Sequence, residues 1–143
     1  MTAKEFLKQY ENADRRAKRL RAEYEMELEM IDAVRSLSNN DGMPHGSGTS
    51  KPTEEKAVRL ADKRLEYLDK EIDAIRIRQK VFDVVNAIDG VEGDLLMERY
   101  VNLKKWEEIC VELHYSWRGV HKVHGRALRL VEEYIEVHYI DVV

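Results

Sequence analysis

Apolar residues recur at steps of three and four from the start of the chain. Phe6, Tyr10, Ala13, Ala17, Leu20, Tyr24, Leu28 and Ile31 fall on one narrow stripe, the spacing of a coiled-coil seam, and predict a long helix over about 2–37. Thr2 and Glu5 stand at the spacing of a capping box at its start. Arg15, Arg16, Lys18, Arg19 and Arg21 flank the stripe first, followed by Glu23, Glu25, Glu27 and Glu29. That switch of charge could set the register of a partner helix, but most simply it is the solvated face of a long helix. A second series, Ala61, Leu65, Leu68, Ile72, Ile75, Phe82 and Val85, predicts a helix over about 53–88, with Glu54 and Glu55 placed against the positive end of its dipole. Residues 38–52, His45 among them, break both patterns with turn formers and are expected to be a flexible loop. At about 1.5 Å per residue each helix runs about 50 Å. Two helices of matched length joined by such a loop most simply fold back as an antiparallel hairpin. A hairpin buries few residues on all sides, so a homo-oligomer through it is one expected state.

Gly90 and Gly93 are expected to close the hairpin and Asp94 to cap the third helix. Three shorter helices are predicted over about 95–101, 106–113 and 116–137. The fourth helix has the stripe Trp106, Ile109, Cys110 and Leu113. A turn of His114 and Tyr115 comes next, and the Ser116 hydroxyl is placed to cap the fifth helix, whose core face reads Val120, Val123, Ala127 and Leu130. Helices joined by so tight a turn cross steeply, the helix-turn-helix geometry, and Cys110 supplies a small apolar side chain at the crossing. The expected fold is all-α. It consists of a long antiparallel helical hairpin over 1–90, with its loop at 38–52, and a three-helix helix-turn-helix domain over 91–143.

Charge sharpens this picture. The net charge is −4, so no global basic field points to nucleic acid. Locally the balance reverses. From 113 to 130 there is no Asp or Glu, while Arg118, Lys122, Arg126 and Arg129 are present, after a helix that carries Glu107, Glu108 and Glu112. A basic helix inside an acidic protein is the pattern of a surface that reads phosphates and bases. A single cysteine excludes an internal disulfide framework and fits a reducing cytosol. No apolar run approaches the ~18 residues of a membrane span, and the first residues lack an apolar signal core. The expectation is a soluble, cytoplasmic protein with no membrane partner.

Leu96, Arg99, Tyr100, Glu108, Ile109, Leu113, Ser116, Val120 and Arg126-Ala127-Leu128 resemble the signature of the fourth region of bacterial sigma factors, at its usual spacing. The chain as a whole resembles a prophage-encoded family of unknown function from Gram-positive bacteria. That family joins a helical N-terminal part and an irregular loop to a sigma-like end with Trp-Glu-Glu-Ile and His-Gly-Arg-Ala-Leu runs, here at 106–109 and 124–128. It is also similar to phage late-gene transcription regulators of the ArpU and RinA type. The resemblance implies a phage-type regulator in a bacterial host, with double-stranded DNA as partner and host RNA polymerase as a further one. Two positions depart from the pattern. Lys105 stands where a Ser or Thr usually caps the fourth helix, a loss of about 0.5–2 kcal/mol that Trp106 packing must offset. His114 replaces the turn glycine, and so must take the left-handed conformation at some cost.

In a helix-turn-helix the first turns of the second helix face the major groove. Trp117, Arg118, His121 and Lys122 are therefore the candidate base-reading residues. Arg118 has the geometry for guanine O6 and N7, and Lys122 for a base or a phosphate. Trp117 either stacks on sugar or a thymine methyl, or packs on Tyr115. Arg126 and Arg129 are placed for the DNA backbone, Arg126 alternatively for a pair within the fold, and Lys104 and Lys105 for phosphates. His121 and His124 are three apart on one helix, but a lone Cys110 cannot complete a zinc site, so no metal is expected. His124 is expected to orient the fifth helix. No nucleophile–base pair, catalytic carboxylate pair or glycine-rich loop is present, so neither an enzyme nor a cofactor is expected. Two alternatives stand beside the regulator. One is an interaction protein that binds RNA polymerase or a sigma factor without touching DNA. The other is a DNA-packaging protein like a phage terminase small subunit, which usually has its DNA-binding part first, whereas here it is last.

Overall fold

The computed structural model describes residues 1–39 and 51–138, and the side chains of all of these except 38, 39 and 51–53. Five helices and no strand occur among the described residues, so the fold is all-α. They are α1 (Ala3–Asn39), α2 (Lys51–Asn86), α3 (Gly90–Leu96), α4 (Trp106–Leu113) and α5 (Trp117–His138). A π-helical turn, Met97–Val101, continues α3. Most of the expected loop, 40–50 with His45, lies outside the described residues, and its flanks belong to α1 and α2. No described helix is long and apolar enough to cross a membrane. The capping box forms: the Thr2 N–H donates to Glu5 Oε2 at 3.0 Å and the Glu5 N–H to Thr2 Oγ1 at 3.2 Å.

The chain divides into two compact units, Asp14–Ile72 and the combination of Met1–Ala13 with Asp73–Val143. In the first, Ala17 and Tyr67 are buried, and the Tyr67 ring lies 5.2 Å from that of Tyr24. Arg21 pairs with Glu71 at 3.3 Å, and Lys63 with Glu27. Partner numbers fall along α2 as they rise along α1, so the two helices run in opposite directions within this unit. The stripe expected on α1 is largely the one used. On α2 it holds toward the end, where Val85 is buried and Phe82 packs on the core, but not before: Leu65 and Ile72, expected inward, are exposed, as is Ile75, while Tyr67 and Ala74 are buried. Two apolar rows of the same period run along α2, and the row that brings Tyr67 against Tyr24 faces α1.

The other unit has a single core. Ala3 and Leu7 from the first turns of α1, and Val81, Val84 and Val85 from the end of α2, pack with Leu95, Leu96 and Tyr100. Ile109 of α4 and Val120, Val123, Ala127 and Val131 of α5 complete it. This core crosses the 90/91 boundary expected from the sequence, because α3 and α4 are too short to enclose one without the ends of the long helices. Val131 takes the place expected of Leu130, which is exposed. Gly93 does not close α2 but lies buried inside α3, and the N-cap is Asp89 rather than Asp94. A Cβ on Gly93 would lie 1.9 Å from the Ile88 carbonyl oxygen, so only glycine lets α3 pass so close to the turn that ends α2.

The first turns of α1 should therefore support the C-terminal helices. Leu7→Ala, at a fully buried site, should destabilise the protein by about 2–5 kcal/mol. Val111→Ala, at an exposed site on α4, should change stability by less than about 0.5 kcal/mol. Urea unfolding of both variants checks the pair, and equal effects would show that the core has been placed wrongly.

Candidate nucleic-acid interface

The sequence of the α4–α5 turn accounts for its geometry. His114 adopts the left-handed conformation (φ 58°, ψ 41°) expected where a glycine is missing, and the N–H groups of His114 and Tyr115 both reach the Cys110 carbonyl. Ser116 Oγ accepts the Gly119 N–H at 3.0 Å, and the Ser116 carbonyl accepts the Val120 N–H at 2.8 Å, so Ser116 caps α5 as expected. Sequence reasoning passed over Gly119. A Cβ there would come within 3.1 Å of Ser116 Oγ and 3.2 Å of the Tyr115 ring, so glycine leaves room for cap and ring together.

The entry to α4 is held differently. Lys105 sits at the N-cap with no side-chain cap bond. Trp106 is clamped instead. The Arg99 guanidinium lies 4.9 Å from the Trp106 ring centre, and the His121 and His124 rings lie 4.9 and 4.8 Å away. Arg99 also donates to the Lys104 carbonyl at 2.9 Å, which fixes the link in which Leu103 takes a positive φ of 55°.

Beneath Trp106, the hydroxyl of buried Tyr100 lies 2.7 Å from His124 Nε2. Burial pushes the Tyr100 phenol up to about 12. Burial first, then charge interactions with Lys4, His121, Arg99 and Lys8, pushes His124 down to about 4. Both groups are therefore neutral near neutral pH, and the tautomer of His124 sets which of the two donates. His124 thus ties α5 to the turn after α3, the orienting role expected of it.

The candidate residues separate by their partners. The Lys104 ammonium sits between Glu112, at 2.8 and 2.9 Å, and Glu98. Glu112 and then Glu98 raise the lysine above its ordinary value, and Lys104 in turn holds the Glu98 carboxyl below its own. This lysine is bound within the fold by two carboxylates. Arg126 meets Glu92 at 3.3 Å, the internal pair that was one of its two expected roles. Among the described residues Lys105, Arg118, Lys122 and Arg129 make no ion pair, and all four are exposed. Trp117 is 55% exposed and meets His121 edge-on at 4.7 Å, rather than packing on Tyr115.

Positions 118, 122, 125 and 129 share the side of α5 opposite Val120, Val123, Ala127 and Val131. Gly125 on that side has nothing within 4 Å of a would-be Cβ, so packing within the chain does not require glycine there. No family model matches the chain, and neither a curated protein nor a solved structure is significantly similar to it.

The buried histidine predicts a pH dependence. An unfolded His124 takes up a proton near its ordinary 6.5, whereas the folded one does so only near about 4. The unfolded chain therefore binds more protons in that window. The stability contribution is complete above about 6.5 and is lost as pH falls toward about 4. Urea midpoints measured across the window should fall more steeply for the wild type than for His124→Gln, by roughly 1–3 kcal/mol in total. Parallel curves would mean that His124 is not the group responsible.

Proposed function

We propose that the chain is a DNA-binding transcription regulator of phage type that reads duplex DNA through α5. The observation that carries this reading is the outward side of α5. Arg118, Lys122 and Arg129 stand there opposite the core, with no carboxylate between 113 and 130 and no internal ion pair of their own among the described residues. Cations so placed suit phosphates and guanine edges. Gly125 among them costs roughly 0.5–1 kcal/mol relative to alanine and has no packing role within the chain, which fits a helix approached closely by a partner's backbone. Lys105, at the positive end of α4, adds a phosphate contact. Tyr100, Trp106 and His124 hold α5 in register for this purpose.

A second reading has its own support. Val111 on α4 is 74% exposed and Trp117 on α5 is 55% exposed, both large apolar side chains. Such side chains suit contact with RNA polymerase or a sigma factor without DNA.

The test is selection of duplex DNA by the purified full chain, with and without host polymerase, and then titration at several salt concentrations. Arg118→Ala should weaken binding to a selected duplex by roughly 1–3 kcal/mol and relax preference at one base position. Lys105→Ala should weaken selected and scrambled duplexes alike, and reduce the salt slope by about one. A folded wild type with no salt-dependent binding to any duplex, even beside polymerase, would exclude the DNA reading and leave the protein-contact one.

A further inference from the structure

Lys4 and Lys8 stand far from α5 in sequence, yet they belong to the same compact unit. They are one helical turn apart and so share a side of α1. Their chain neighbours Ala3 and Leu7 are buried in one core with Val120, Val123 and Ala127 of α5. Lys4 and Lys8 also reach α5 itself. Beyond burial, the charges that act on the His124 ring come first from Lys4, then from His121, Arg99 and Lys8. Lys4 is exposed and Lys8 half-buried, and neither makes an ion pair among the described residues. Glu5 is turned back to Thr2 in the capping box, and the charge of Glu11 acts on Tyr100.

These contacts define one flank of α5. Position 121 lies about 60° around the helix from 124, and 118 about 60° further, so this flank leads onto the outward side. Trp106 packs against the rings of His121 and His124, which puts Lys105, the residue before it, on the same flank. Arg99 is occupied there, with its guanidinium over Trp106 and bonded to the Lys104 carbonyl. Lys105, Lys4 and Lys8 are not, and they border a helix whose outward side carries Arg118, Lys122 and Arg129. A major groove about 12 Å wide admits one helix, and phosphates bound it on both sides. Cations on the flank of a seated helix therefore meet a phosphate row, and flexible lysine side chains suit that contact.

We propose that Lys4 and Lys8 belong to the DNA-binding surface, where with Lys105 they hold the phosphate row along one flank of α5. The proposal rests on the reading of α5 as the helix that enters the groove. It extends the interface to a segment outside the helix-turn-helix. The first two turns of α1 then act twice: Ala3 and Leu7 help close the core, and Lys4 and Lys8 position the duplex.

Titration of the full chain at several salt concentrations, on a selected and a scrambled duplex, tests this. Lys4→Ala with Lys8→Ala should reduce the salt slope by about two on both duplexes and leave the preference between them unchanged. Lys4→Arg with Lys8→Arg should keep the wild-type slope. Arg16→Ala with Arg19→Ala removes the same charge from exposed sites in the Asp14–Ile72 unit and should not alter the slope. A wild-type slope in the Lys4 and Lys8 alanine pair overturns the proposal while the reading of α5 stands. An equal loss in the Arg16 and Arg19 pair also overturns it, because net charge alone then accounts for the effect. A folded wild type that binds no duplex removes both. Should the lysine-to-alanine pair lower the urea midpoint, Lys4→Gln at the exposed site decides, and a slope not reduced by about one counts against the contact.

Discussion

Leu7 and Val81 have no solvent exposure, although both stand far in sequence from α4 and α5, whose core they share. α3 has seven residues and α4 eight, too few to bury an apolar face on all sides. α5 has 22 residues, but only one side of it turns inward. Closure of this core therefore depends on the first turns of α1 and the last of α2. Through that dependence the position of α5 rests on residues that share no motif with it. The capping box at Thr2 and Glu5 matters for the same reason, since it stabilises the turns that present Ala3 and Leu7.

Within this enclosure one polar link sets the orientation of α5. Tyr100 and His124 are mutually satisfied in a buried setting, where an unpaired donor or acceptor costs about 1–3 kcal/mol. Trp106 lies against His124 and His121 and beneath Arg99, so the uncapped start of α4 is held by packing. Arg99 in turn holds the Lys104 carbonyl. These contacts join the turn after α3, the start of α4 and the middle of α5 into one network, and no member can shift without disturbing another.

Local spacing made much of this legible. The α1 stripe, the Ser116 cap, the left-handed His114 and the inward Val120, Val123 and Ala127 follow from helix periodicity and turn chemistry alone. Leu65, Ile72 and Ile75 of α2 were misread as inward because they are more hydrophobic than Tyr67 and Ala74, while spacing alone does not say which of two rows meets α1. The same ambiguity exchanged Leu130 for Val131. The domain boundary was misplaced because a repeat read along one helix carries no information about what its ends enclose. The π turn and the positive φ of Leu103 have no local signature, since they arise where α3 must end against the core and deliver the chain to Trp106. Lys104 was legible as a cation. Its partner Glu112 lies eight residues away and becomes a neighbour only through the fold.

That distinction between cations is also the strongest internal support for the functional reading. Lys104 and Arg126 are each held by carboxylates of the same unit, so the fold itself gives a reason for their charge. It gives none for Lys105, Arg118, Lys122 and Arg129, which make no ion pair among the described residues. An exposed cation without a partner contributes little to stability. In a chain of net charge −4, gathering such cations on one side of one helix does not follow from composition either. Under the proposed reading a polyanion would use them together, because each phosphate neutralised releases counterions.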